Sequence, residues 1–109
     1  MGRLRDAAKA AGIAALDVSL PESRSLVSRD GVIHYLDWGL AGGRPVIFLH
    51  GGGLNAHTWD LVCLSLRDEY WCLAPDLRGH GDSSWSKSEG YTLESYSRDL
   101  DQLLSLIHI

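Results

Sequence analysis

Residues 44–59 constrain the fold of this chain more than any other stretch, because a short apolar run there ends in three consecutive glycines and continues into a helical pattern. The apolar residues 46–49 are rich in β-branched and aromatic side chains, which predicts a parallel strand buried on both faces. Gly51, Gly52 and Gly53 have no Cβ, so the backbone can take positive φ and approach a ligand closely. Such a turn holds either a phosphate or an oxyanion on its backbone N–H groups.

A β-hairpin is predicted before this strand. Asp30 and Gly31 separate two short apolar runs, and an Asp-Gly pair favours a type I′ turn in which both residues have positive φ. His34 alternates with Ile33 and Tyr35 along the second run, which predicts that it faces solvent.

A helix, a strand and a second helix are predicted after the glycines. The first helix begins at Asn55 or Thr58, and apolar residues at helical spacing form its buried face: Trp59, Val62, Cys63 and Leu66. Residues 71–74 form another apolar strand. Thr92 caps the second helix, which is expected to keep Asp99 and Asp101 outside and to bury Leu93, Tyr96, Leu100 and Leu103. The order predicts an α/β fold in which strand, helix and strand form a parallel unit.

The residue pattern of the glycine turn matches a dinucleotide-binding fingerprint. Residues 51–56 match G-x-G-x-x-A, and Asp76 follows about 20 residues later at the end of the next strand. An NAD-dependent Rossmann oxidoreductase would hold the pyrophosphate over these glycines and the ribose on Asp76. His50 in front of the first glycine, the preceding hairpin and the Gly/His-rich loop after Asp76 count against it.

A second set of motifs uses more of the chain. The strand ending in His-Gly-Gly-Gly, the strand ending in Pro-Asp-Leu-Arg-Gly-His-Gly-Asp-Ser and the helix starting at Tyr-Thr-Leu make residues 26–103 resemble the N-terminal part of an α/β-hydrolase. The resemblance implies that the loop after the third strand supplies part of an oxyanion hole. By position, Gly52 would be the N–H donor, flanked by Gly51 and Gly53, and His50 would order the loop.

The resemblance also assigns roles to the loop after the next strand. It implies that Asp76, Arg78 and His80 shape that loop through an ion pair or turn caps and take no direct part in catalysis. Esterases, lactonases, carbon–carbon hydrolases, epoxide hydrolases and cofactor-free haloperoxidases stay open as activities. A non-catalytic protein of the hydrolase fold is a further alternative. Haloalkane dehalogenases fit less well, since they place an Asn where this chain has Gly52.

The catalytic machinery of such an enzyme is not found in these 109 residues, because no G-x-S-x-G occurs in them. The family order puts the nucleophile, the acid and the His downstream, and we therefore expect the isolated chain to be an inactive, poorly folding fragment. Residues 104–109 are also the translation of a transposase-adapter end, which suggests a non-native tail. Residues 1–24 are interpreted as an N-terminal extension, and residues 25–103 as the hydrolase portion.

The composition and net charge limit the kinds of binding partner that we expect for this chain. The formal net charge of −4 argues against nucleic acid or an anionic membrane, which favours a small-molecule substrate. No apolar run reaches the length of a membrane span or forms a secretory signal, so we expect a cytoplasmic location. Cys63 and Cys72 lack metal-binding spacing and are expected to be buried thiols; no metal and no cofactor are predicted. The oligomeric state stays open.

Overall fold

The computed structural model describes residues 20–28, 30–86 and 90–107. They form four strands, a short 3-10 helix at Ala56–Trp59 and two α-helices. The strands are β1 (Glu22–Ser28), β2 (Gly31–Asp37), β3 (Arg44–Ile47) and β4 (Tyr70–Pro75), and the helices are α1 (Asp60–Leu66) and α2 (Leu93–Leu106). The predicted order of hairpin, strand, helix, strand and helix is confirmed.

The first two strands form the predicted antiparallel hairpin, but its turn differs from the prediction. Ser28 pairs with Gly31, so Gly31 is the first residue of β2 and does not belong to the turn. Gly31 has φ +148°, whereas Leu40 is the only non-glycine residue with positive φ in the part of the chain that the structure describes. A type I′ turn centred on Asp30 and Gly31 is therefore wrong. Strand β1 begins at Glu22, within the segment interpreted as an extension, of which residues 1–19 lie outside the described residues.

The sheet has the order β1-β2-β4-β3. Strand β2 pairs antiparallel with β4, and β3 pairs parallel with β4, as the strand–helix–strand pattern predicts. Strand β3 lies at the edge of the sheet, so residues 45–48 are only partly buried and Leu49 is exposed. Phe48 and Ile47 pack in part against the apolar clusters on opposite faces of the sheet, so both faces are partly covered and the expected full burial is wrong.

Helices cover opposite faces of the sheet. Cys72 and Ala74 of β4 pack with α1, whereas Leu73 between them packs with Leu103 of α2. The alternation follows from the two-residue repeat of a strand. On α1, Cys63 and Leu64 are buried, but Val62 is 40% exposed and does not belong to the buried face that the spacing predicted. No helix in the described ranges is long and apolar enough to cross a membrane.

The second helix begins as predicted but buries a different face. Thr92 caps α2 through a reciprocal pair of hydrogen bonds with Ser95. Leu103 is buried, but Leu93 is 84% exposed, and Asp99, predicted to lie outside, is buried. Leu104 to Leu106, from the suspected tail, continue α2, while residues 108–109 lie outside the described part.

Candidate active site: the glycine loop and its supports

The loop after β3 is a tight turn at the carboxyl end of the parallel strand pair. Gly51 O accepts a hydrogen bond from Leu54 N at 3.2 Å, and Gly53 has φ +79°. These values match a type II turn, in which the third position needs positive φ and therefore favours glycine. Gly53 alone of the three glycines takes positive φ. The Gly52 N–H donates to no residue in the described part of the chain, and a Cβ there would meet nothing within 4 Å.

His50 anchors the start of this loop, as the sequence predicts. Its side chain is buried, Nδ1 lies 2.8 Å from Gly51 O, and Nε2 lies 3.0 Å from Leu77 N. The amide of Leu77 can only donate and the carbonyl of Gly51 can only accept, so Nε2 is the acceptor and Nδ1 the donor in this pair of hydrogen bonds. Both ring nitrogens of His50 therefore hold backbone groups, and the side chain connects the loop after β3 with the loop after β4.

Asp76 connects three segments around the same loop. Its Oδ1 accepts from Ala56 N at 2.7 Å, and its Oδ2 accepts from Asp82 N at 3.0 Å and from His34 Nδ1 at 2.7 Å. Burial raises the pKa of the Asp76 carboxyl, but the hydrogen bonds from the two backbone amides and His34 lower it by more, so the net shift of this pKa is downward. Asp76 is thus an ionised internal cap, as predicted, and its oxygens are already taken by donors that a ribose hydroxyl would have to displace.

The loop after β4 wraps closely around this carboxylate. Gly81 has φ +50°, and a Cβ at that position would lie 2.4 Å from Asp76 Cγ. Glycine is required there both for the backbone conformation and for the close approach.

Arg78 holds the same loop against α2. Its Nε and Nη2 donate to the two carboxylate oxygens of Asp99 at 2.8 Å each, and its Nη1 donates to Asp30 Oδ2 at 3.1 Å. All three side chains are buried. The internal ion pair predicted for Arg78 is confirmed. The sequence did not identify its partners, because Asp99 looked like a solvent residue of a helix. His80 reaches back to the Arg78 carbonyl, with Nδ1 at 3.0 Å.

An apolar cleft of about 370 Å³ lies beside the glycine loop. Leu49 and His50 line one side, and α2 lines the other with Leu93, Tyr96 and Leu100. The apolar stripe that the sequence placed against the sheet therefore borders an open cleft over most of its length. A mostly apolar concavity of this kind can hold a small organic molecule.

The prediction that His34 faces solvent is wrong, because its side chain is buried. Its side chain is 9% exposed, and it lies between Asp76 Oδ2 and Ser23 Oγ, which is within hydrogen-bond distance of Nε2. One ligand atom each from His34, Asp76 and Asp82 lies within 4.8 Å of the others, as in a metal site. However, the ionised Asp76 carboxylate requires a proton on His34 Nδ1, and a metal ion would have to replace that proton.

Comparison with known proteins identifies the class. A mixed sheet covered by helices on both faces, with a glycine loop at the end of a parallel strand, is the arrangement of an α/β protein. The family model described as alpha/beta hydrolase fold matches residues 44–109, which is more than half of the chain. The chain therefore belongs to the α/β-hydrolase fold family.

Two curated relatives and one solved structure illustrate the similarity. The chain is 47% identical to esterase Rv0045c of Mycobacterium tuberculosis over 68% of its own length and 24% of the relative's. It is 43% identical to the non-heme chloroperoxidase CPO-A1 of Kitasatospora aureofaciens over 72% of its length and 28% of that protein's. A solved structure of the M. tuberculosis esterase superposes with a TM-score of 0.71 at 40% identity, over 95% of this chain and 33% of that one. The chain thus spans about a quarter to a third of the proteins that it matches.

Proposed function

We propose that this chain is part of a hydrolase that acts on a small ester-like substrate, with the His50–Gly53 loop forming part of the oxyanion hole. The observation that carries the proposal is the exposed turn itself, whose Gly52 N–H has no acceptor among the described residues. Support also comes from the relatives that are named an esterase and a chloroperoxidase. The nucleophile would be a Ser or Asp outside these 109 residues, and no cofactor is required.

The physical role of the turn follows from the charge that develops during acyl transfer. Attack on the carbonyl carbon of an ester places negative charge on the carbonyl oxygen. An N–H fixed about 2.7–3.1 Å from that oxygen lowers the barrier by roughly 3 kcal/mol, since a preorganised donor does not have to reorient. His50 and Asp76 supply the preorganisation. His50 binds Leu77 N at the start of the loop, and Asp76, directly after β4, binds the N–H of Ala56, three residues beyond Gly53.

The apolar cleft suggests which part of the substrate this chain would contact. Tyr96, Leu100 and Leu49 offer apolar surface and no free cation for a carboxylate. A neutral ester with a small hydrophobic acyl or alcohol group fits this lining better than a charged one. We propose a small molecule as the partner and expect neither nucleic acid nor an anionic membrane surface, since the formal net charge is −4. A cytoplasmic location is part of the same proposal.

A matched pair of substitutions in the complete gene product tests the oxyanion role. Gly52 occupies the second position of the turn, where proline fits a type II turn but removes the N–H, and Gly52→Ala keeps the N–H and meets no neighbour. We expect Gly52→Pro to lower kcat on short-chain p-nitrophenyl esters by about 10²–10³-fold and to change KM little. Gly52→Ala should stay close to the parent. Equal activity of the proline and alanine variants would refute the role of the Gly52 N–H.

The isolated 109-residue chain gives a second test. We expect it to associate through the open edge of β3 and to release no more than one equivalent of p-nitrophenol per chain, since the nucleophile is not among its residues. A monodisperse chain that unfolds cooperatively and turns over these esters repeatedly would contradict this expectation.

A further inference from the structure

A hydroxyl, an imidazole and a carboxylate form a hydrogen-bonded chain on the hairpin side of the sheet, and the proposed hydrolase mechanism gives no part to the hydroxyl or the imidazole. We propose that Ser23 is an acyl-accepting nucleophile, activated by His34 and oriented through Asp76, that takes one acyl group from a small activated ester. This site shares Asp76 with the supports of the glycine loop, through the other carboxylate oxygen, and does not depend on the function proposed for that loop.

The geometry of the chain follows from the hairpin register. Ser25 pairs directly with His34, and Ser23 lies two residues further along β1 on the same face. Ser23 Oγ contacts His34 Nε2, and His34 Nδ1 lies 2.7 Å from Asp76 Oδ2. The order of hydroxyl, imidazole and carboxylate is the one that nucleophilic serine sites use, and such sites are recognised by geometry rather than by sequence position.

Burial distinguishes this arrangement from an ordinary surface serine. The side chains of His34 and Asp76 are 9% and 4% exposed, whereas Ser23 is exposed on the outer strand of the sheet. The hydroxyl is therefore open to a reagent, while the base behind it is shielded from water and held in one orientation. His34 N also donates to Ser83 Oγ at 2.9 Å, which holds the backbone of the base in place.

The protonation states suit general-base assistance. Two backbone amides and His34 keep the Asp76 carboxylate ionised. His34 Nδ1 therefore carries its proton, and the lone pair of Nε2 accepts from the Ser23 hydroxyl. When Nε2 takes the proton of that hydroxyl, the resulting imidazolium cation lies against the Asp76 anion in a buried setting, where the attraction is weakly screened.

The reaction is a single acyl transfer. Ser23 Oγ attacks the carbonyl carbon of an aryl ester, the Oγ–C bond forms, and the bond from that carbon to the aryl oxygen breaks. The hydroxyl proton passes to His34 Nε2 and then to solvent, while p-nitrophenolate leaves with the bonding electron pair. The product is an ester of Ser23 and one released phenolate, and no oxidant or metal is needed.

The test is site-resolved acylation of the complete gene product with p-nitrophenyl acetate. Trypsin cuts after Lys9 and Arg24, so Ser23 falls in residues 10–24 and Ser25 in residues 25–29. Fragment-ion spectra separate Ser23 from Ser19 in the first peptide. We expect Ser23 to be acetylated at least ~10²-fold faster than Ser25, since a positioned base contributes about that factor. Unfolding the parent protein in urea should make the two rates similar.

Two variants separate activation by His34 from simple exposure. His34→Asn can still donate to Asp76 from the position of Nδ1 but has no atom at the position of Nε2, and it should slow Ser23 acetylation by ~10²-fold or more. Ser25→Ala should leave Ser23 acetylation unchanged. Equal rates at Ser23 and Ser25 in the folded parent would overturn the proposal, and so would an unchanged Ser23 rate in His34→Asn. The comparison within the parent decides the matter even if His34→Asn does not fold.

Discussion

Replacing Arg78 by methionine is the most informative stability experiment on this fold. Arg78 has three hydrogen bonds of 2.8–3.1 Å to two carboxylates, those of Asp99 and Asp30, and a fourth of 3.0 Å to Gly90 O. The side chains of Arg78, Asp99 and Asp30 are 3%, 7% and 2% exposed. Methionine has similar length but no charge, so Arg78→Met would leave two buried carboxylates without their common cation. Breaking a buried pair in this way costs about 3–5 kcal/mol, which is roughly a 10²–10⁴-fold change in the unfolding equilibrium.

The assay is urea unfolding of the complete gene product at neutral pH, followed by circular dichroism. Arg98→Met is the matched control, because Arg98 donates to Glu94 at 2.7 Å on the exposed side of α2. An exposed pair of this kind contributes about 0.3–0.5 kcal/mol. Asp99→Asn should fall between the two, since Arg78 would keep Asp30 and one neutral acceptor. A loss for Arg78→Met of less than about 1 kcal/mol, or one equal to that of Arg98→Met, would refute the reasoning.

Three further results are expected from the same structure. Gly81→Ala should destabilise the protein by about 2–4 kcal/mol in urea unfolding, because its Cβ would displace the Asp76 carboxylate and break charge-assisted hydrogen bonds. Gly42 also has positive φ but lies in open space, so Gly42→Ala should cost only about 1–2 kcal/mol. The pKa of Asp76 is lowered in the folded state, so the stability that the ionised carboxylate contributes is present above the usual pKa of about 3.8 and is lost as pH falls through the pKa of the folded state. Asp76→Asn should therefore reduce the slope of stability against pH in that acid range. An unchanged slope would contradict this. Burial raises the pKa of the Cys63 and Cys72 thiols, so a thiol reagent at pH 8 should label neither in the folded protein and both in urea; rapid labelling of the folded form would show that the α1 face opens.

Local signals in the sequence identified the elements correctly. Asn55 and Thr92 accept hydrogen bonds from nearby amides at the starts of their helices, as their residue types predict. The Asp-Gly pair located the hairpin although not its turn type. The ordering role of His50 and the structural role of Asp76 followed from motifs of a family to which the chain belongs. These features depend on neighbours within a few residues or on a pattern that the family shares.

Long-range partners decided which polar residues are inside. His34 and Asp99 were both expected in solvent, and both are buried because each meets a group from a distant part of the chain: Asp76, 42 residues away, and Arg78, 21 residues away. The spacing of apolar residues along a helix or strand predicts which face is apolar on average. It does not identify a polar side chain that is buried because a distant partner compensates its charge or hydrogen-bonding groups. The same limit hid the contact between Ser23 and His34, which needs both the register of the hairpin and the inward orientation of His34.

The sequence by itself determined the class of fold, the order of its elements and the position of the glycine loop, because backbone preferences and hydrophobic spacing are local properties of the chain. Only the tertiary structure decided that Arg78 joins Asp30 to Asp99, that the stripe of α2 borders a cleft, and that Ser23, His34 and Asp76 form one hydrogen-bonded chain. Those arrangements depend on strand pairing and on the compensation of buried charge, and both arise only when distant segments come together.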